Sequence, residues 1–497
     1  MRWIPGRPGW LAAALLALAA VPGVRPGALA QGAADTLRIS LDEAVTRALA
    51  AGEEMQSAES SLKLAHAQFA QARSTALPQL NLGTSYTRQI KSVFGGAVPE
   101  IEPFEADTLA PLDQRVRDLE DALPTAGLSG LGALFSETSF ASENTWVASL
   151  TLTQNIFQGG SIWHSIAAAR NALRAAENLR EDREREVVLA VREAYLGALL
   201  AQRGVRIADL SLEQAESQLR RVRLRAEAGE ASEFELLQAE VARENQVPIV
   251  KQSQALYELS YLELGRLANL PVDVPLVLTS PILGGEAPAG EPAALDTTAL
   301  TGQAEQGPGI RALESIVRAR EHAEPIAASG HWPSLSLFAS YSEQAYPGDV
   351  FPTADDWRED VRAGVELSWS LFDGLRTNGA VQQAKAETEQ ARQGLQQARE
   401  RIRQAVAQSR WDLERAAADL TARSRTVQLA RRAYELASLR FEEGASDLLE
   451  VSDARIAHQL AQTYEAQARH DYFVALARLE RYSGQPWFSA AVPPASE

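Results

Sequence analysis

The sequence contains few residues whose types and spacing could support catalysis or metal binding. It has no cysteine, and neither a nucleophile elbow nor a phosphate-binding loop occurs in it. The six histidines show no HxxxH or similar ligand spacing, and they stand at positions 66, 164, 322, 331, 458 and 470. We therefore predict no catalytic residue, no metal ion and no cofactor, and an enzyme is disfavoured.

Two acidic residues are notable for their spacing. Glu450 and Asp453 both follow Gly444 in the sequence. They are three residues apart, so on a helix they share one face. Glu235 has the matching position after Gly229. These acids could simply be solvated, because charged residues are mostly exposed. If several copies of the chain met around one axis, the same acids would form a ring that attracts cations.

The first 30 residues have the pattern of an export signal. Arg2 and Arg7 precede an apolar run over residues 10–21, and Ala28 and Ala30 form a small-x-small cleavage site. The run is shorter than the roughly 20 apolar residues that a membrane-spanning helix needs. We therefore predict a signal peptide over residues 1–30 and no transmembrane helix in the mature chain.

The charge of the chain argues against a nucleic-acid partner. The formal net charge is -17, and removal of the signal would make it more negative because the signal contains arginines and no acid. A strongly acidic surface repels phosphate polymers.

The chain contains an internal duplication. The segment Pro78-Gln-Leu80 recurs as Pro333-Ser-Leu335, and a second set of matches pairs Gly229 with Gly444. The first copy has about 40 additional residues, which fall in a loop insert over residues 91–143 with a short helix near 112–122. We predict a first structural repeat over 31–270, a Pro/Gly-rich linker over 271–293, a second repeat over 294–484 and a tail over 485–497.

Four short segments alternate between apolar and polar residues, which is the pattern of strands with one apolar face. They lie near residues 78–90, 145–157, 333–343 and 361–372. On the apolar face we place Leu80, Leu82, Trp146, Leu150, Leu152, Leu335, Leu337, Leu367 and Trp369.

The rest of each repeat is predicted to be helical. From Val187 to Ala226, apolar residues recur with an uninterrupted 4-3 spacing, which is the seam of a coiled coil rich in small residues. We predict long helices over 160–227 and 375–442, each about 100 Å in length. We expect helices over 41–76 and 232–268 to run beside the first long helix. A helix ahead of the third strand and a helix over 446–482 would run beside the second long helix. Pro325 is expected to kink or end the helix ahead of the third strand.

Four amphipathic strands cannot close a transmembrane barrel, because such barrels begin at about eight strands and leave no open edge. Three copies of the chain would supply twelve strands, and each strand has about the length that spans a bilayer at a tilt. We therefore predict a mixed fold, with antiparallel helical hairpins forming an α-barrel and strands completing a 12-stranded β-barrel whose apolar face contacts lipid.

Taken in order, several short motifs resemble the TolC-like outer-membrane efflux protein family over nearly the whole mature chain. They include Leu41-Asp-Glu-Ala44, the two Arg-x3-Gly turns and Leu448-Leu-Glu450-Val451. The helix–strand junctions of the family correspond to Pro78, Pro333, Gly159, Gly160 and Gly374.

The resemblance implies a homotrimeric exit duct in the outer membrane with a long periplasmic extension. It implies docking of a periplasmic adaptor at the hairpin tips, marked by Arg225, Gly229, Arg440 and Gly444, and through the adaptor a connection to an inner-membrane pump. It also implies a periplasmic gate formed by Glu450, Asp453 and Glu235.

The sequence departs from the lipoprotein branch of that family. It lacks the anchoring cysteine, and residues 307–313 replace the Arg-Arg-Pro-Asp motif. This favours the non-lipidated branch and leaves the pump class, proton-driven or ATP-driven, and the substrate open. If an ionic latch holds the gate closed, it needs a cation near the gate acids, and Arg440 is the nearest one in the sequence. The alternative function is a soluble periplasmic coiled-coil adaptor or structural rod, which would need no detergent.

Overall fold

The computed structural model describes residues 37–91, 109–121, 123, 143–270, 276–280, 282 and 296–488. Residues 112–121 of the loop insert are helical. The other elements, in chain order, are β1 (Leu37–Ile39), α1 (Leu41–Ala51), α2 (Glu53–Ser74), β2 (Gln79–Arg88), β3 (Asn144–Gln158), α3 (Ser161–Glu227), α4 (Glu233–Glu244), α5 (Gln246–Leu267), β4 (Leu276–Leu278), α6 (Thr297–Ala304), α7 (Pro308–Glu321), α8 (Ala323–Ala328), β5 (Ser334–Ala345), β6 (Trp357–Ser368), α9 (Arg376–Glu442) and α10 (Leu448–Ser483).

The four long strands form one antiparallel sheet in the order β2-β3-β5-β6. Each repeat contributes two strands, and the two repeats join where β3 pairs with β5. The last strand was predicted near 361–372, but β6 runs from Trp357 to Ser368, so that prediction was wrong at both ends. The chain turns out of the sheet after Ser368, because Gly374 and Leu375 adopt left-handed backbone conformations there.

Two helices of 67 residues each, α3 and α9, form the axes of the helical part. At 1.5 Å per residue each is about 100 Å long. All twelve positions of the predicted seam in α3, from Val187 to Ala226, are buried or half-buried, and so are the twelve matching positions in α9. The 4-3 spacing therefore identified the packed face of both helices. Among the described helices, none combines the length and the apolar content needed to cross a membrane.

The shorter helices beside these axes are interrupted more often than predicted. The helix predicted over 41–76 is divided at Gly52, whose backbone is extended. The helix predicted over 232–268 is divided at Asn245, three residues before Pro248, which cannot donate a backbone hydrogen bond. Pro325 has the predicted effect, since α7 ends at Glu321 and α8 begins at Ala323.

A small parallel sheet of β1 and β4, not predicted from the sequence, lies beside the middle of α3. The β4 strand falls within the predicted linker over 271–293, so that segment is not wholly a loop. The fully buried Tyr195 of α3 connects the sheet to the helix, since its hydroxyl donates to the Ile39 carbonyl and accepts from the Ser280 amide. Burial raises the pKa of Tyr195, which keeps its hydroxyl protonated and able to donate.

Candidate functional site

The predicted apolar residues that lie within the four long strands share one face of the sheet. The register pairs Leu80 with Leu152 and Leu82 with Leu150, and it places Leu337 beside Val365 on the same face. Because side chains alternate between faces, their neighbours Asn81, Thr151, Ser340 and Arg362 share the opposite, polar face. The predicted alternation therefore gives one continuous apolar surface.

Much of this apolar surface is uncovered. Leu82 of β2 is 77% exposed and Leu367 of β6 is 69% exposed. Soluble monomers rarely expose a large contiguous apolar patch, so this face is suited to contact lipid.

Aromatic residues lie at both ends of the apolar face. Trp146 is half-buried between Tyr86, at 4.8 Å between ring centroids, and Phe351, at 6.2 Å. Trp369 was predicted to lie in a strand, but it follows the last residue of β6 and its indole donates to the His331 carbonyl. Tryptophan favours membrane interfaces because its ring is apolar and its N–H is polar.

The outer strands of the sheet, β2 and β6, each pair on one side only within the described residues. They are ten and twelve residues long, and neither contains proline, which would block pairing along an edge. Long, regular edges of this kind are templates for pairing with another chain.

At the junctions between strands and long helices, glycines turn the chain. Pro78 and Pro333 immediately precede β2 and β5. Gly159 has φ +58°, and a side chain there would come within 2.6 Å of the Ser329 carbonyl oxygen. Gly160 and Gly374 also have positive φ.

The two hairpin tips have nearly the same geometry. Gly229 and Gly444 adopt φ of +80° and +70°. The next amide in each turn, of Glu230 or Ala445, donates to the carbonyl of Arg225 or Arg440. These bonds satisfy carbonyls that have no partner within the helix, as in a Schellman-type cap.

The predicted docking arginines differ in their contacts. Arg225 lies over the Phe441 ring at 4.9 Å from its centroid, which links the first tip to the second helix pair. Arg440 forms an ion pair of 2.9 Å with Glu450. Phe441 was not identified from the sequence, although its spacing places it at the last position of the second seam.

The three predicted gate acids also differ. Glu235 closes a capping box with Ser232 at the start of α4, and hydrogen bonds from the Ser232 backbone and side chain lower the pKa of its carboxyl. Glu450 has the matching position in α10, but there the Asp447 carboxylate caps the helix, which leaves Glu450 free to bind Arg440. Asp453 is exposed. Glu235 is therefore part of a helix cap, whereas Glu450 forms an ion pair.

A family model described as "Outer membrane efflux protein" matches residues 44–263 and 303–485, which is most of the chain. The chain belongs to the outer membrane efflux protein family. The resemblance to TolC-like proteins and the outer-membrane location that it implied are confirmed. Members of this family are channel proteins rather than enzymes.

Individual relatives agree with this assignment. The pyoverdine export outer membrane protein OpmQ of Pseudomonas putida is 25% identical over 428 residues, covering 83% of this chain and 87% of that protein. The alkaline protease secretion protein AprF of Pseudomonas aeruginosa is 25% identical over 350 residues, covering 69% and 70%. The CmeC outer membrane channel of Campylobacter jejuni has the same fold, with a TM-score of 0.69 at 16% identity over 92% of this chain and 87% of that one.

The predicted helical extension and four strands per chain are features of this efflux-protein fold. The predicted cleavage residues Ala28 and Ala30 lie outside the described residues. In the described part, no group of three or more histidine, aspartate or glutamate side chains is arranged to hold a metal ion.

Proposed function

We propose that this efflux protein works as a homotrimeric exit duct, with a 12-stranded barrel in the outer membrane and a helical tube in the periplasm. The observation that carries the proposal is the sheet, which combines one apolar face with two long edges that have no partner strand in the described part of the chain. In lipid, every backbone group on an edge needs a partner, so the edges must pair with other copies.

The strand count favours three copies. Two chains would give eight strands, and the interior of such a barrel is just filled by side chains. Three chains would give twelve strands and leave a passage lined by the polar face, which carries Asn81, Thr151 and Arg362.

The helical part also presents surfaces for neighbouring copies. Phe234 is 73% exposed, and Leu449, the matching residue of the second hairpin, is 53% exposed. Val241 and Ile456 repeat this match seven residues, or about two helical turns, further along. We assign this duplicated apolar stripe to contacts between hairpins of adjacent copies around the tube.

The hairpin tips would then remain available to bind partner proteins. The duplicated turns at Gly229 and Gly444 support docking of a periplasmic adaptor, which connects the duct to an inner-membrane pump. The relatives named above export pyoverdine in one case and secrete alkaline protease in another. We therefore assign cargo selection to the pump rather than to the duct.

Paired cysteines on the two edges test the trimer directly, because the chain has no native cysteine. Asn81→Cys on β2 and Arg362→Cys on β6 lie on the same polar face, three strand spacings apart within one chain. A thiol cross-linker that reaches about 5–10 Å joins neighbouring edges but not residues about 14 Å apart. On a denaturing gel, we expect cross-linked species of two and three chains and none larger.

The matched control is Ser149→Cys with Ser342→Cys, which are direct partners on the inner strands β3 and β5. This pair should cross-link only within a chain. A monomer in mild detergent, a water-soluble chain, or an open ladder beyond three copies from the edge pair would contradict the proposal.

A further inference from the structure

A buried arginine near the hairpin tips has no acidic partner for its charge among the described residues. Arg455 of α10 is only 5% exposed, and its Nη1 has no hydrogen-bond partner in the described residues. No acidic side chain is among the residues that line the adjoining cavity. Burial disfavours the charged form and lowers the pKa of Arg455, yet a guanidinium does not lose its proton in a protein. An unpaired buried charge is destabilising, so a bound counter-ion would stabilise this region.

A second unpartnered donor belongs to another residue that lines this cavity. Gln218 of α3 is 9% exposed, and its Nε2 has no hydrogen-bond partner among the described residues. Its Oε1 accepts two hydrogen bonds from Arg221, at 3.2 Å from Nε and 2.5 Å from Nη2. This contact determines the orientation of the amide, because Arg221 can only donate. The Gln218 amide therefore has one orientation, in which the oxygen faces Arg221 and the nitrogen is the group without a partner.

The cavity has the size of one small ligand. Its volume is about 20 Å³, which is slightly more than the roughly 10–15 Å³ that one water molecule needs. Its lining comes from four helices of both repeats and includes Tyr434 and Ser452 beside the two donors. A water molecule would fill this space but would not balance the charge.

We propose that this cavity is a binding site for a small monovalent inorganic anion of the halide class, held by Arg455 and Gln218. An anion there would accept from both orphaned N–H groups and neutralise the guanidinium. Since Gln218 belongs to the first repeat and Arg455 to the second, the bound anion would also connect the two hairpins close to their tips. The inference does not depend on the proposed exit duct, because it rests on contacts within one chain.

Halide-dependent stability tests the site on the full-length protein in detergent. We measure the midpoint of thermal unfolding in sodium chloride or bromide and in sodium gluconate at equal ionic strength, because gluconate is too large for the cavity. We expect halide to raise the midpoint saturably, by on the order of 2 °C at about ten times the dissociation constant. Equal midpoints in halide and gluconate would overturn the proposal.

Two substitutions assign the effect to this cavity. Arg455→Met keeps the apolar stem without the charge, so it should remove the halide effect and make the protein more stable than the native chain in gluconate. Gln218→Glu supplies a carboxylate beside Arg455, so it should remove the halide dependence while keeping the midpoint of the halide-bound native chain. Arg440→Met, at the exposed tip, is the matched control and should keep the full halide effect.

Bromide crystals give an independent readout. We expect an anomalous peak within hydrogen-bonding distance of Arg455 Nη1 and Gln218 Nε2. A carboxylate of a neighbouring copy in that place, a water molecule alone, or a halide effect that survives in Arg455→Met would each overturn the assignment.

Discussion

The glycines of the hairpin tips are required by their backbone conformation and not by crowding. Gly229 and Gly444 have positive φ, which strongly disfavours β-branched residues. The backbone is not closely approached there, since no atom of the described chain outside the neighbouring residues lies within 4 Å of a side chain built at either position. A substitution therefore acts through the backbone or through contact with a partner.

Because the two glycines are required by conformation and not by crowding, substitutions there can test whether the hairpin tips dock a partner. Gly229→Val and Gly444→Val should each cost on the order of 1–2 kcal/mol in the turn, because L-residues disfavour left-handed conformations. We expect export to fall at least tenfold while assembled protein remains in the outer membrane. Gly229→Asn and Gly444→Asn are the matched controls, since asparagine tolerates this conformation and should retain most export. Normal export by both valine variants would remove the docking role.

At the scale of elements, two junctions that look equivalent in sequence have different surroundings. Gly159 follows β3 and lies against Ser329, in the short turn after α8. Gly374, its counterpart after β6, has φ +68° but no neighbour within 4 Å of a built side chain in the described residues. The first glycine is therefore required by both packing and conformation, whereas the second is required by its backbone conformation only.

The two junctions predict unequal effects of the same substitution. Gly374→Ala should cost on the order of 1–2 kcal/mol from its positive φ. Gly159→Ala carries the same cost and also brings a methyl group within 2.6 Å of the Ser329 carbonyl oxygen, so backbone must move. We expect a clearly lower unfolding midpoint for Gly159→Ala than for Gly374→Ala in detergent. Equal midpoints would mean that the β3–α3 junction does not pack as described.

At the scale of the whole molecule, the acids near the second tip would act together only in the proposed trimer. In one chain, Glu450 is paired with Arg440 and Asp453 is exposed. In a trimer, three such sets would surround one axis, with a net charge of three negative units rather than the six that the carboxylates alone suggest. Arg440 therefore reduces the field that attracts cations.

This arrangement predicts opposite effects on ion selectivity in planar bilayers. Asp453→Asn and Glu450→Gln should each weaken cation preference and block by divalent cations, because each removes one negative charge per chain. Arg440→Gln should strengthen both, because it leaves Glu450 unpaired. The changes should shrink at high salt, where charges are screened. Unchanged selectivity in all three variants would show that the constriction lies elsewhere.

Several features of the chain could be predicted from the sequence because they depend on local periodicity. Alternation with period two gave the strands and their apolar face, since neighbouring side chains must point to opposite sides of a sheet. The 4-3 spacing gave the packed side of α3 and α9. The duplicated Arg-x3-Gly motif gave both turns, because glycine readily adopts positive φ.

Other features depended on contacts between residues far apart in the chain. The β1 and β4 strands have three residues each, too few for a periodic signal, and they form because Tyr195 and the surrounding core hold them together. The choice of Asp447 rather than Glu450 as a cap, and of Arg440 as its ion-pair partner, follows from side-chain geometry at the turn. Arg455 looks like any helical arginine in the sequence, and only the packing of four helices makes it a buried charge without an acidic partner among the described residues.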